Sequence, residues 1–232
     1  MLDLIGTVVL VAVIALCLYA FVTALPISRA GRLAIVTGAG AWTGLAAAFA
    51  AAGQFANTNA PPLIGVFVAL PPLVTAVAAI GFPAVRAALL AIPLPTLIGV
   101  NITRVVGVLF VLLAAVDRLG GPFPQSAGWG DVITGVLAIP LMWLVARAPD
   151  SNSKIAAWNA FGTLDLIAAV TLGVLSANGS PLQLISAGAG SAAIQDLPWA
   201  LVPAVLVPFF LITHGIVFAQ LQARRSEACV TA

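Results

Sequence analysis

The sequence predicts an all-α polytopic membrane protein with seven transmembrane helices, and three observations predict it. Of 232 residues, 62% are hydrophobic and only 7% charged, against roughly 25% charged in soluble domains. Seven runs are long enough to cross a bilayer, which takes about 20 apolar residues. If all seven span, seven of the nine Lys and Arg residues fall on one side.

The runs cover 3–25, 33–53, 62–82, 96–116, 130–147, 155–176 and 198–221, with six or eight spans as the alternatives. Between them lie "PISRAGR", "QFANTNAPP", "FPAVRAALLAIPLP", "DRLGGPFPQSAGWG", "APDSNSK" and "NGSPLQLISAGAGSAAIQD". Each clusters Pro, Gly, Asn or Ser, as loops do. The first run lacks a basic n-region, carries Asp3 instead and stays apolar for more than 20 residues before Arg29, so it reads as an uncleaved helix rather than a signal peptide. Arg29, Arg32, Arg86, Arg147, Lys154, Arg224 and Arg225 share one side, and only Arg118 lies opposite. Positive charge marks the cytoplasmic face, which puts the N-terminus outside and the C-terminus in the cytoplasm. Residues 1–222 read as a single transmembrane domain and 223–232 as a short cytoplasmic tail.

Runs 1–3 are almost purely apolar. Gly40 and Gly44 form a GxxxG pair suited to close helix approach, so these runs read as scaffold or lipid-facing wall. The buried ionisable residues all lie in runs 4–7. Pro71 and Pro72 in run 3, Pro140 in run 5, and Pro203 and Pro208 in run 7 each free a backbone carbonyl.

Arg104 is eight residues into run 4, roughly 12 Å deep at the helical rise of ~1.5 Å. By the same measure Asp165 in run 6 lies roughly 15 Å deep and His214 in run 7 roughly 10 Å, both from the cytoplasmic edge, so the three are expected to share the cytoplasmic half of the bilayer. An unpaired Arg or Asp at a helix centre costs about 2.5–3.5 kcal/mol on insertion scales. Asp165 and Arg104 are therefore expected to pair, with His214, the only histidine, beside them. Trp158, Gly162 and Asp165 recur at i, i+4, i+7 on one stripe, Asn101 shares a face with Arg104, and Asn159 points to another side of run 6. Asp131, at the start of run 5, suits a capping residue in the first helical turn. An external gate, or a pair with Arg118, is its alternative.

The cluster has two readings. It is either a structural clamp or a site handling protons or a small solute, since ionisable groups within spans are functional candidates and imidazole titrates near neutrality. Enzyme chemistry finds little support: there is no GxSxG, no HExxH and no second histidine. "TGAGAWTG" lacks the strand–turn–helix setting of a dinucleotide site. The "NIT" sequon at 101–103 falls inside a span, and "AGAGS" reads as a flexible loop. Run 7 has no lysine for a retinal Schiff base. Cys17 and Cys229 make no metal-binding spacing. No metal and no cofactor is required, although His214 could serve as an axial ligand to haem or another chromophore.

The segments "ITRVVGVLFVLLAA", "AGWGDVITGVLA", "WNAFGTLDLIAAVTLGVLS" and "LPWALVPAVLVPFFLITHGIVF" resemble a family of uncharacterised bacterial inner-membrane proteins over residues 95–222. The resemblance implies a bacterial origin and a plasma-membrane location, and transfers no catalytic residue. In helix number and orientation the chain is also similar to the seven-helix sugar carriers of the SWEET type. The expected partners are the lipid bilayer, a small solute, and further copies or subunits of a larger membrane complex, with no nucleic acid. The expected function is handling of a small solute or protons, or alternatively a non-catalytic accessory role in such a complex.

Overall fold

The computed structural model describes residues 1–56, 63–147 and 151–230, apart from the side chains at 146 and 227–230; the expected loop stretches at 57–62 and 148–150, and the side chain of Cys229, lie outside it. The described residues are helical or irregular, with no strand among them. Seven helical stretches are long and apolar enough to cross a membrane.

Helix α1 (Leu2–Ala24) and α2 (Arg29–Ala51) are separated by Pro26, and Ser28 caps α2 by accepting from the Gly31 amide at 3.1 Å. Helix α3 (Leu63–Gly81) leads into a short α4 (Pro83–Leu90) that begins on a proline, the residue best tolerated in a first turn. The fourth span is not one helix. It runs as α5 (Leu94–Gly99), a 3-10 segment (Val100–Gly107) and α6 (Val108–Ala115). Helices α7 (Phe123–Arg147) and α8 (Asn152–Leu175) follow. The last span opens with a π-helical turn (Val202–Leu206) and continues as α9 (Val207–Val230). Helix α9 thus carries through most of the expected tail.

Side-chain contacts tie the two ends. At one, Asp3 Oδ1 accepts from Arg118 Nη1 at 2.6 Å and from Trp199 Nε1 at 2.7 Å. This joins the start of α1, the end of the fourth span and the start of the seventh, as up-and-down alternation requires. At the other end Gln220 donates to the carbonyls of Leu90 and Ile92, at 3.0 and 2.8 Å.

The π-turn has a local cause. Pro208 has no N–H, so the Ala204 carbonyl four residues earlier loses its helical donor. Trp42 Nε1 takes that carbonyl at 2.9 Å, which anchors α2 to the last span. Elsewhere α2 and α3 are peripheral, with only 11% of each spanning window buried. The expected GxxxG approach is not made: a Cβ on Gly40 or Gly44 would meet nothing within 4 Å. The close glycine seam lies instead between α7 and the 3-10 segment. A Cβ on Gly135 would come within 2.9 Å of the Val105 amide nitrogen, and one on Gly128 within 2.9 Å of the Gly107 carbonyl oxygen.

Of three apolar clusters, one packs α2 and α3 on the last span and two form layers through the rest of the bundle. One layer gathers Leu10, Phe110, Leu113, Phe123, Leu166 and Phe210, the other Leu97, Ile98, Ala138, Ile155, Ile216 and Val217. The polar residues of the fourth to seventh spans lie between them.

Overpacking a close helix contact costs about 1–3 kcal/mol. Gly135→Ala is therefore expected to lower the thermal midpoint in detergent, while Gly40→Ala and Gly44→Ala leave it unchanged. A drop in the latter two and none in the former would place the seam on α2.

Candidate functional site

The 3-10 winding aligns residues three apart, so Asn101, Arg104 and Gly107 form one buried edge. Side chains on this segment bond carbonyls three and four residues back along the span. Asn101 Nδ2 donates to the Leu97 carbonyl at 2.9 Å and Thr103 Oγ1 to the Val100 carbonyl at 2.7 Å. Arg104, 1% exposed, is the centre of the site.

Its guanidinium donates to three other spans. Nε bonds Asp131 Oδ1 of α7 at 2.7 Å, and Nη2 bonds Asp165 Oδ2 of α8 at 2.5 Å. Nη1 donates to the Gly162 carbonyl of α8 at 3.2 Å and to His214 Nε2 of α9 at 3.0 Å. The Phe210 ring lies 5.6 Å from the guanidinium carbon. Arg104 so pairs at once with two carboxylates that would otherwise stand unpaired between helices.

The protonation of His214 follows from its partners. Asn159 Nδ2 donates to the His214 carbonyl at 3.0 Å, which turns Asn159 Oδ1 towards His214 Nδ1 at 2.7 Å. An amide oxygen only accepts, so Nδ1 carries the proton. A guanidinium only donates, so Nε2 presents its lone pair. His214 is a neutral imidazole with both nitrogens engaged, and axial ligation to a haem would break one of these bonds.

Glycine makes the distances possible. A Cβ on Gly162 would stand 2.8 Å from His214 Nε2 and 2.9 Å from Thr134 Cγ2. One on Gly130 would overlap the Asp165 carboxylate, and one on Gly107 would overlap Asp131 Cβ. Trp158 Nε1 donates to the Thr134 carbonyl at 3.0 Å, and its ring packs 5.3 Å from His214.

The structure brings Arg104, Asp165 and His214 together with Asn159, Trp158 and Asp131. Asn101 sits one turn away, 3.5 Å from Thr213 Oγ1, and its own Oδ1 is buried without a donor among the described residues. Three expectations are corrected. Asp131 does not cap a first turn: α7 starts at Phe123, because "FPQSAGWG" is helical rather than loop, and Asp131 lies two turns inside. Arg118 pairs with Asp3 and not with Asp131. The cluster lies mid-span rather than in one half, Arg104 being the eleventh of the 22 residues of Leu94–Ala115 and Asp165 the fourteenth of the 24 of Asn152–Leu175.

The residues sequence reasoning missed are Gly107, Gly130 and Thr134; the signal for Gly130 was the glycine spacing of "AGWGDVITG", where Gly128 and Gly135 flank it. Among the described residues no group of three or more His, Cys, Asp or Glu is placed to hold a metal ion.

No curated protein and no solved structure matches the chain. The spans that build the site fall within a matched family segment, residues 61–222. On that match, which takes in Arg104, Asp131, Asp165 and His214, the chain belongs to the family described as Domain of unknown function (DUF8737).

Proposed function

We propose that this chain is a multi-pass protein of a bacterial inner membrane, N-terminus outside and C-terminus in the cytoplasm, that handles protons or a small solute through the Arg104 cluster. The observation that carries this reading is one guanidinium shared by Asp131, Asp165 and His214 from three other spans, mid-bundle and enclosed by apolar layers. Seven cations at the end opposite Asp3 support the orientation. The unmatched Asn101 oxygen adds an acceptor for a solute's donor group.

Several bonds here are interchangeable. Arg104 holds two carboxylates, so losing one leaves the other paired, and Nη1 also has the Gly162 carbonyl besides His214. Such a site tolerates a change of protonation or occupancy without leaving every partner bare. A clamp needs only one carboxylate.

A second reading, as accessory subunit of a larger complex, rests on the periphery. Between α1, α2, α3 and α9 lies an apolar groove of about 820 Å³, lined by Gly38, Gly40, Leu70 and Val74 among others. Partner helices would seat there.

In proteoliposomes loaded with a pH-reporting dye, Asp165→Asn is expected to abolish flux while the protein keeps its elution profile. Arg104→Met strands two carboxylates and is expected to cost about 3–5 kcal/mol. Arg104→Lys is expected not to restore it, since an ammonium lacks the guanidinium's planar fork. Combining Arg104→Met with Asp131→Asn and Asp165→Leu should return the thermal midpoint; retained flux in that triple variant would reduce the cluster to a clamp. Mild-detergent purification from native membranes tests the accessory reading, which stoichiometric companions would support and a solitary chain would defeat.

A further inference from the structure

The site's charge does not balance. Arg104 supplies one positive charge, while Asp131 and Asp165 are both within hydrogen-bond distance of it. His214 cannot make up the difference, because its partners require the neutral ring: Nε2 accepts from Arg104 and Nδ1 donates to Asn159. Among the described residues no other titratable side chain reaches the pair. Span 4 contributes Arg104, α9 contributes His214, and α1, which packs on the remaining side, presents Leu10. With both carboxylates ionised the cluster would hold a net negative charge between two apolar layers, which buried environments strongly disfavour.

The two carboxylates differ in access. Asp165 is packed against Gly130, where a single added carbon would overlap it. Asp131 borders a cavity of about 20 Å³ lined by Leu10, Arg104, Val202, Trp199 and Phe210 among others. That is room for one water, which needs at least about 10–15 Å³ and polar partners; Asp131 and Arg104 supply them. The cavity reaches Trp199, whose indole donates to the half-exposed Asp3 carboxylate at the end of the bundle.

We infer that the Arg104 cluster is a proton-binding site, holding one exchangeable proton between Asp131 and Asp165 and loaded through this cavity from the end that carries Asp3. Binding takes a proton from water onto a carboxylate oxygen, turning one carboxylate into a carboxylic acid and the cluster's formal charge from minus one to zero. No other bond forms or breaks. The inference deepens the proposed function by naming the proton as ligand, yet concerns resting occupancy and does not require flux.

Infrared spectroscopy of the purified full chain tests it. At neutral pH the exposed carboxyl groups are ionised, so a carboxylic-acid carbonyl band reports a buried proton. One such group per chain is expected in the wild type. The band should vanish in Asp131→Asn and equally in Asp165→Asn, because either change leaves one carboxylate facing one guanidinium. Val202→Phe, which fills the cavity, should keep the band and slow its shift on transfer to D2O. Absence of the band in the wild type overturns the proton site, and this needs no variant to fold. Survival of the band in either Asp→Asn protein overturns the shared proton, and unchanged exchange in Val202→Phe overturns the route. A wild-type band in a protein without proton or solute flux would sink the transport reading and leave the proton in place. Flux without the band would do the reverse.

Discussion

The bundle depends on placing one guanidinium where four helices meet. Arg104 donates to α7, α8 and α9 from the fourth span, and each partner is short. Asp131 and Asp165 carry a single methylene before their carboxylates, so the helices must come close for them to reach. The glycines at 107, 128, 130, 135 and 162 allow that approach, and they cluster at this crossing. Polar chemistry here dictates packing. In a bilayer, where apolar burial against lipid gives helices little reason to associate, small residues and interhelical hydrogen bonds hold bundles together.

The first three spans follow another logic. They carry no deep charge, and α2 and α3 bury little surface. Their attachment relies on scattered contacts such as Trp42 with the Ala204 carbonyl and with the Phe67 ring, whose centroid lies 4.7 Å from its own. The carbonyl is available because Pro208 cannot donate to it. A proline in the core helix thereby creates the acceptor that fastens a peripheral one.

Much of this was legible in the sequence, and unevenly so. Helix number followed from apolar length. The meeting of Arg104, Asp165 and His214 followed from comparable depth and the cost of leaving either charge alone. Asp131 was misassigned because Pro, Gly and Ser in "FPQSAGWG" read as loop. In a membrane span such residues are also what close packing requires, and only the partner helix distinguishes the two uses. The GxxxG pair fails for the converse reason: Gly40 and Gly44 permit an approach that no helix among the described residues makes. The 3-10 winding of span 4 left no clear mark in an apolar run flanked by Gly99 and Gly107.

That winding makes the fourth span a screw as well as a support. A 3-10 helix rises about 2.0 Å per residue and turns three residues per revolution; an α-helix rises about 1.5 Å with 3.6. Rewinding the eight residues Val100–Gly107 as α-helix would shorten the span by about 4 Å and turn Arg104 by about a quarter revolution relative to α5. The guanidinium's bearing towards Asp131, Asp165 and His214 is therefore fixed by the pitch of its own backbone.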